Sequence, residues 1–164
     1  MARRPNKHSP EVIQAVVDKL YPKCLTWLKA LGDHCNEESA KEELTEALNN
    51  GFDWDGYALA QRLDDWSPDA GLVEILDEAS YLSFKPLKNL EREYAKTLMP
   101  KYKVGDTIKL PREGVEGEIT SIESSGHYHI YSPDLGHIRP GEGGSGVLAV
   151  VYRWEDVDVD KANT

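Results

Sequence analysis

Histidine and cysteine are the side chains here best suited to metal or proton chemistry, and most of them fall into two groups. Cys24, His34 and Cys35 offer two sulfurs and an imidazole, ligands that zinc accepts readily. A structural zinc site takes four such groups, and no second pair accompanies these three. Cys24 also shares a helical face with Leu28 and Leu31, which favours core packing, the usual fate of a free cysteine. In the second group, His127 and His129 stand two apart in a predicted strand and so share one face, with His137 beyond a turn. Three histidines beside a glycine-rich loop can bind a metal or form a pH-sensitive contact surface. No carboxylate spacing completes a facial ligand set, so no metal is expected. The plain reading is the solvated face of a strand whose Tyr128 and Ile130 are buried. The sharper one joins His127, His129 and His137 to Tyr131 and Arg139 as an aromatic and polar contact surface.

Other chemistry fares less well. The run Gly141-Glu142-Gly143-Gly144-Ser145-Gly146 lacks the Lys-Ser/Thr of a phosphate loop and precedes a strand, whereas phosphate cradling uses the amides at a helix N-terminus. No carboxylate pair carries a supporting signal for acid–base catalysis, and scattered Ser, His and Asp residues define no triad. No catalytic residue and no cofactor are therefore expected. Acids are plentiful: Glu37, Glu38, Glu42, Glu43 and Glu46 on one predicted helix, then Asp53, Asp55, Asp64, Asp65, Asp69, Glu74, Asp77 and Glu78. A solvated face that keeps a small protein dispersed explains them. The alternative is a surface that meets a basic partner, with Glu38, Glu42, Glu46, Asp64 and Asp65 as candidate contacts.

Two kinds of element must position these groups. Residues 9–99 read as a bundle of five or six short helices. Ser9-Pro10-Glu11 opens the first, with Val12, Ile13, Val16, Val17 and Leu20 at helical spacing. Tyr21-Pro22 breaks or kinks it before Leu25, Leu28 and Leu31 continue the stripe to Gly32. A second helix spans Glu37 to Leu48 and a short third Gly56 to Asp64. Ser67-Pro68-Asp69 starts a fourth that reaches Leu82, and Pro86 opens the last, which ends at Pro100. Short helices rarely stand alone, so the bundle must share a core. Residues 1–8 and 160–164 read as flexible tails.

Residues 101–159 read as strands. Thr107-Ile108-Lys109-Leu110 alternates polar and apolar, Glu116 to Ile122 turns Ile119 inward, and His127 to Tyr131 alternates again. A glycine-rich loop from Pro133 to Gly146 leads to the most apolar strand, Val147 to Tyr152. Trp154-Glu155-Asp156-Val157 closes as a tight turn into a last short strand. The expected fold is thus α+β, a helical bundle followed by a five-stranded barrel, since closure removes exposed edges. Lys103-Val104-Gly105-Asp106, Leu110-Pro111, Gly114, Gly117-Glu118-Ile119 and Glu155-Asp156-Val157 resemble an SH3-like barrel of the KOW/Tudor type. Such barrels bind RNA, proline-rich or methylated peptides, or only a neighbouring domain, so the likeness implies a fold and no one function.

Composition narrows the partners. The formal charge is −10; residues 1–100 hold 12 Lys and Arg against 18 Asp and Glu, and residues 101–164 hold 7 against 11. Both parts are acidic, which disfavours sequence-independent nucleic-acid binding through phosphate contacts. No apolar run suits a membrane helix, and the basic start Met1 to Lys7 precedes no apolar signal segment. A cytoplasmic setting with reduced thiols is expected. Gly51-Phe52-Asp53-Trp54-Asp55-Gly56-Tyr57-Ala58-Leu59-Ala60 and Trp66-Ser67-Pro68-Asp69-Ala70-Gly71-Leu72-Val73-Glu74-Ile75-Leu76 resemble segments of short accessory proteins of bacteriophages and mobile elements. That resemblance implies a setting and no activity. Together with small size, acidity and the lack of catalytic motifs it fits a non-enzymatic factor that binds a host protein or complex, as anti-CRISPR and other anti-defence inhibitors do. The alternative is a nucleic-acid- or ribosome-associated accessory protein that uses the barrel, for which Lys101, Lys103, Lys109, Arg112 and Arg139 would have to converge.

Overall fold

The structure is a computed structural model that describes residues 3–32, 36–139 and 149–158. It is α+β: helices fill the N-terminal part, and a four-stranded antiparallel sheet followed by a short helix fills the C-terminal part. The chain divides into two compact units between Leu90 and Glu91. Among the described residues, no helix is long and apolar enough to cross a membrane.

Helix α1 (Pro10–Ala30) begins with proline at its first turn, where a missing N–H leaves no helical bond unmade. Its buried stripe is Val12, Ile13, Val16, Val17, Leu20, Cys24 and Leu28. Of the break or kink expected at Tyr21-Pro22, no break is found: Pro22 lies inside the helix. Pro22 is exposed, so its ring meets water, and the stripe continues past it on the opposite side. Burial of Cys24 and Leu28 outweighs the one amide that Pro22 cannot donate. Gly32, at φ +76°, then ends the helix in the left-handed region that glycine adopts without strain.

Helix α2 (Glu37–Asn49) is capped by Asn36 Oδ1, which accepts from the amides of Glu38 (3.2 Å) and Ser39 (3.4 Å). Asp55 caps α3 (Gly56–Arg62) through the Ala58 amide at 2.9 Å. Asp69 caps α4 (Ala70–Leu76) through the Leu72 amide at 2.9 Å. The helix expected to reach Leu82 is instead cut at Asp77-Glu78, and α5 (Ala79–Ala95) follows. The cause is a tertiary bond: Asp77 Oδ1 accepts from the Gly56 amide at 2.9 Å and ties the end of α4 to the start of α3. A Cβ on Gly56 would stand 2.2 Å from the Val73 carbonyl oxygen, so the two helices meet this closely only at glycine. Pro86, expected to open a helix, lies inside α5. The first core gathers the α1 stripe, Leu44 and Leu48 of α2, Leu59 of α3, Leu72 and Leu76 of α4, and Trp54.

In the second unit, β1 (Thr107–Lys109), β2 (Glu116–Glu123), β3 (His127–Tyr131) and β4 (Val150–Arg153) lie in chain order, each antiparallel to the next. Four strands stand among the described residues where five were expected. The segment expected to feed a last strand is helix α6 (Trp154–Asp158). Trp154 and Val157 are both buried, and they are three residues apart. A helical turn brings such a pair to one side, whereas a strand would send them to opposite faces. Their core includes Tyr102, Ile108, Leu110, Ile119, Tyr128, Ile130 and Tyr152. The Tyr128 hydroxyl accepts from the amides of Lys101 (3.0 Å) and Tyr102 (3.2 Å), which satisfies a buried polar group. Gly117 lets β2 close on β3, since a Cβ there would lie 2.5 Å from Ile130 Cγ2.

Candidate functional site

The outer face of the sheet owes its chemistry to one irregularity. Ile119 pairs with Ile130, but Ser121 pairs with His129, so Thr120 is an extra residue in β2. Such a bulge shifts the alternation by one residue. Beyond it Ile122 comes to the inner face opposite Tyr128, and Glu123 comes to the outer face opposite His127. There Glu123 Oε1 meets His129 Nε2 at 2.8 Å, and Glu123 Oε2 accepts from the Ser125 hydroxyl at 3.0 Å. Ser125 Oγ also lies 3.0 Å from His127 Nδ1. Serine, histidine and glutamate thus share one network, as a nucleophilic site would require. Ser125 is fully buried, however, so its oxygen cannot reach a dissolved substrate. The network holds the hairpin together and orients its two imidazoles.

Further along the same face Tyr131 pairs with Glu118. Arg139 lies over the Tyr131 ring at 5.3 Å and reaches Glu118 Oε2 at 3.7 Å. The His137 ring stands 6.5 Å from Tyr131, and its Nδ1 accepts from the Ser132 amide at 3.0 Å. The structure therefore sorts the five candidate residues into two neighbourhoods. His127 and His129 gather on Glu123, and Tyr131, His137 and Arg139 gather near Glu118. Among the described residues, no group of three or more His, Cys, Asp or Glu is placed to hold a metal ion.

In the helical unit the candidate acids separate as well. Glu38, Glu42 and Glu46 are exposed and one turn apart on α2, and they line a shallow surface with Gln14, Lys41 and Thr45. Asp64 and Asp65 are exposed on the 3-10 turn at Asp64–Trp66, which does not line that surface. Several other acids have structural partners. Glu43 accepts from Ser39 and from Trp66 Nε1 (2.5 Å), Glu37 pairs with Lys29, and Glu78 pairs with Lys23. Asp69 accepts from the Leu72 amide and from Trp27 Nε1, bonds that hold its carboxyl below the usual value.

The chain matches no family model, no curated protein and no solved structure.

Cys24 is fully buried, and burial pushes its thiol up to about 12. A thiol held protonated is neither a nucleophile nor a metal ligand. His34, Cys35 and the run from Gly141 to Gly146 lie outside the described residues. Two features escaped sequence reasoning. Tyr152 is buried with its hydroxyl bound by Arg112 Nε (3.0 Å) and donating to Glu113, a link across 40 residues that no local pattern signals. Tyr81 and Phe84 are exposed on α5. Their one-turn spacing, off the stripe of Leu82, Leu87 and Leu90, is a signal that was available.

Proposed function

We propose that this chain is a non-enzymatic protein-binding factor that meets its partner through the exposed glutamates of α2. In this reading it serves a bacteriophage or mobile element inside the host cytoplasm and inhibits or adapts a host machine, as anti-CRISPR and other anti-defence inhibitors do. The observation that carries it is a contrast. Glu38, Glu42 and Glu46 have no ion-pair partner among the described residues, whereas neighbouring acids are engaged in caps and ion pairs. A row of carboxylates one turn apart suits a basic surface such as one that otherwise holds nucleic acid, and long-range attraction speeds the encounter. The sheet, read as the open part of an SH3-like barrel, would add the Tyr131, His137 and Arg139 neighbourhood as a second contact.

The test is affinity capture from a bacterial lysate, with and without nuclease, comparing the wild-type chain with the triple variant Glu38→Lys, Glu42→Lys, Glu46→Lys. The expected result is a stoichiometric, nuclease-resistant protein partner whose binding falls about tenfold or more in the variant. The melting temperature should fall only slightly, because Glu38 favours the N-terminal turn of α2 while the Glu42 and Glu46 side chains have no bonded partner among the described residues. Unchanged affinity would return the row to a solvated face. Recovery of nucleic acid alone, lost on nuclease treatment, would transfer the function to a nucleic-acid- or ribosome-associated accessory protein.

A further inference from the structure

Between α1 and α5 the helical unit carries an open groove of about 460 Å3, within the range of roughly 300–1,000 Å3 typical of binding clefts. Helix α1 supplies Ala15 and Lys19, one turn apart, and α5 supplies Tyr81, Leu82, Phe84 and Lys85 among its walls. Tyr81 and Phe84 are 77% and 68% exposed, large rings left in water. They are not needed for the core, which α5 meets through Ala79, Leu82, Leu87 and Leu90. Aromatic side chains are the commonest anchors of protein interfaces, because they bury much area at little entropic cost.

Charge specifies what the groove receives. In a chain of net charge −10, Lys23, Lys29, Lys41 and Lys96 each pair with a carboxylate. Of the described lysines without such a partner (Lys7, Lys19, Lys85, Lys101, Lys103 and Lys109), Lys19 and Lys85 stand together at this groove. The geometry points to a docking site for an acidic, amphipathic peptide segment of another protein. Its apolar side chains lie against Ala15, Tyr81 and Phe84, and its Asp or Glu residues meet Lys19 and Lys85, in the manner of a helix laid in a groove. Two lysines on an acidic molecule are too few to hold a nucleic-acid backbone. A second copy of this chain offers the charge on α2 but not the apolar half, since that surface is lined by Gln14, Lys41 and Thr45 beside the glutamates.

The site is tested without foreknowledge of the partner by selecting a library of random peptides of about sixteen residues, some four helical turns, on the immobilised full chain. Peptides that also bind the variant Lys19→Glu, Tyr81→Ala, Phe84→Ala, Lys85→Glu are removed. The four positions are on the surface, and circular dichroism and melting temperature verify the variant's fold. The charge pair Lys19→Glu, Lys85→Glu, which leaves the apolar lining intact, provides a second depletion should the fourfold variant not fold. The expected survivors carry large apolar residues at helical spacing flanked by Asp or Glu. Their affinity should drop about tenfold or more on either variant and weaken with salt. Survivors without acidic residues, or no peptide selective for the wild-type chain, would overturn the assignment. So would a wild-type chain that self-associates where the variant is monomeric, since that gives the groove to a second copy. The glutamates of α2 are intact in both variants, so failure here is separate from failure of the proposed function.

Discussion

At pH 8 an exposed cysteine is partly thiolate, whereas Cys24 sits at the centre of the first core with its thiol raised from an ordinary 9.0 to about 12 by burial. Two measurable effects follow. Iodoacetamide should leave the Cys24 peptide unmodified in the native chain and modify it once denaturant is added; rapid native labelling would contradict the burial. The second effect is on stability. Because the folded thiol holds its proton longer than the unfolded one, the native state keeps its full advantage below about pH 9. It loses about 1.4 kcal/mol per pH unit from this group as pH rises from there toward 12. Denaturant titrations of the wild type and Cys24→Ala across that window should show the smaller alkaline slope in the variant. A similar distinction between residue type and surroundings governs Ser125, whose hydroxyl has carboxylate and imidazole neighbours but no route to solvent.

Helices and strands were legible wherever one short stretch contained its own reasons. The α1 stripe and the inward turn of Ile119, Tyr128 and Ile130 follow from local period alone, whereas the helix expected to start at Ser67-Pro68 starts two residues later, after Asp69. The failures share a cause, which is that a distant group decided the outcome. The break after α4 depends on the Gly56 amide, 21 residues from Asp77, and the helix at Trp154 depends on a core that accepts two residues three apart. The grouping of His129 with Glu123 depends on a bulge that no composition rule announces. Gly56 provides a sharp test of this scale. Alanine ordinarily improves a helix by about 0.5–1 kcal/mol over glycine. Here Gly56→Ala should instead destabilise the chain by about 1–3 kcal/mol, because its methyl would collide with the Val73 carbonyl. A raised melting temperature would show that α3 and α4 can separate at no cost.

The described residues form two hydrophobic cores, one in each compact unit. Trp54 and Trp66 belong to the first and Trp27 packs against it, while Trp154 belongs to the second. Tryptophan emission from a chain carrying Trp27→Phe, Trp54→Phe and Trp66→Phe therefore reports the sheet unit alone. Gly117→Val should shift that emission to the red or lower its unfolding midpoint, because the new side chain overlaps Ile130 Cγ2. Far-ultraviolet circular dichroism of Gly117→Val in the otherwise wild-type chain should retain most of its helical signal. Loss of that signal together with the sheet would mean that the helices cannot persist without it.

The Thr120 bulge acts on β2 much as a frameshift acts on a coding sequence. Before it the inward residues are Gly117 and Ile119; after it the inward residue is Ile122. Deleting Thr120 or Ser121 would leave Ile119 and Ile122 two positions apart in an unbroken pleat, each still facing the core and Glu123 still facing out. Deleting Glu118 would place Gly117 and Ile119 on opposite faces. Across natural or engineered length variants of this hairpin, shortening should accordingly be tolerated at the bulge and rejected at Glu118, two residues before it.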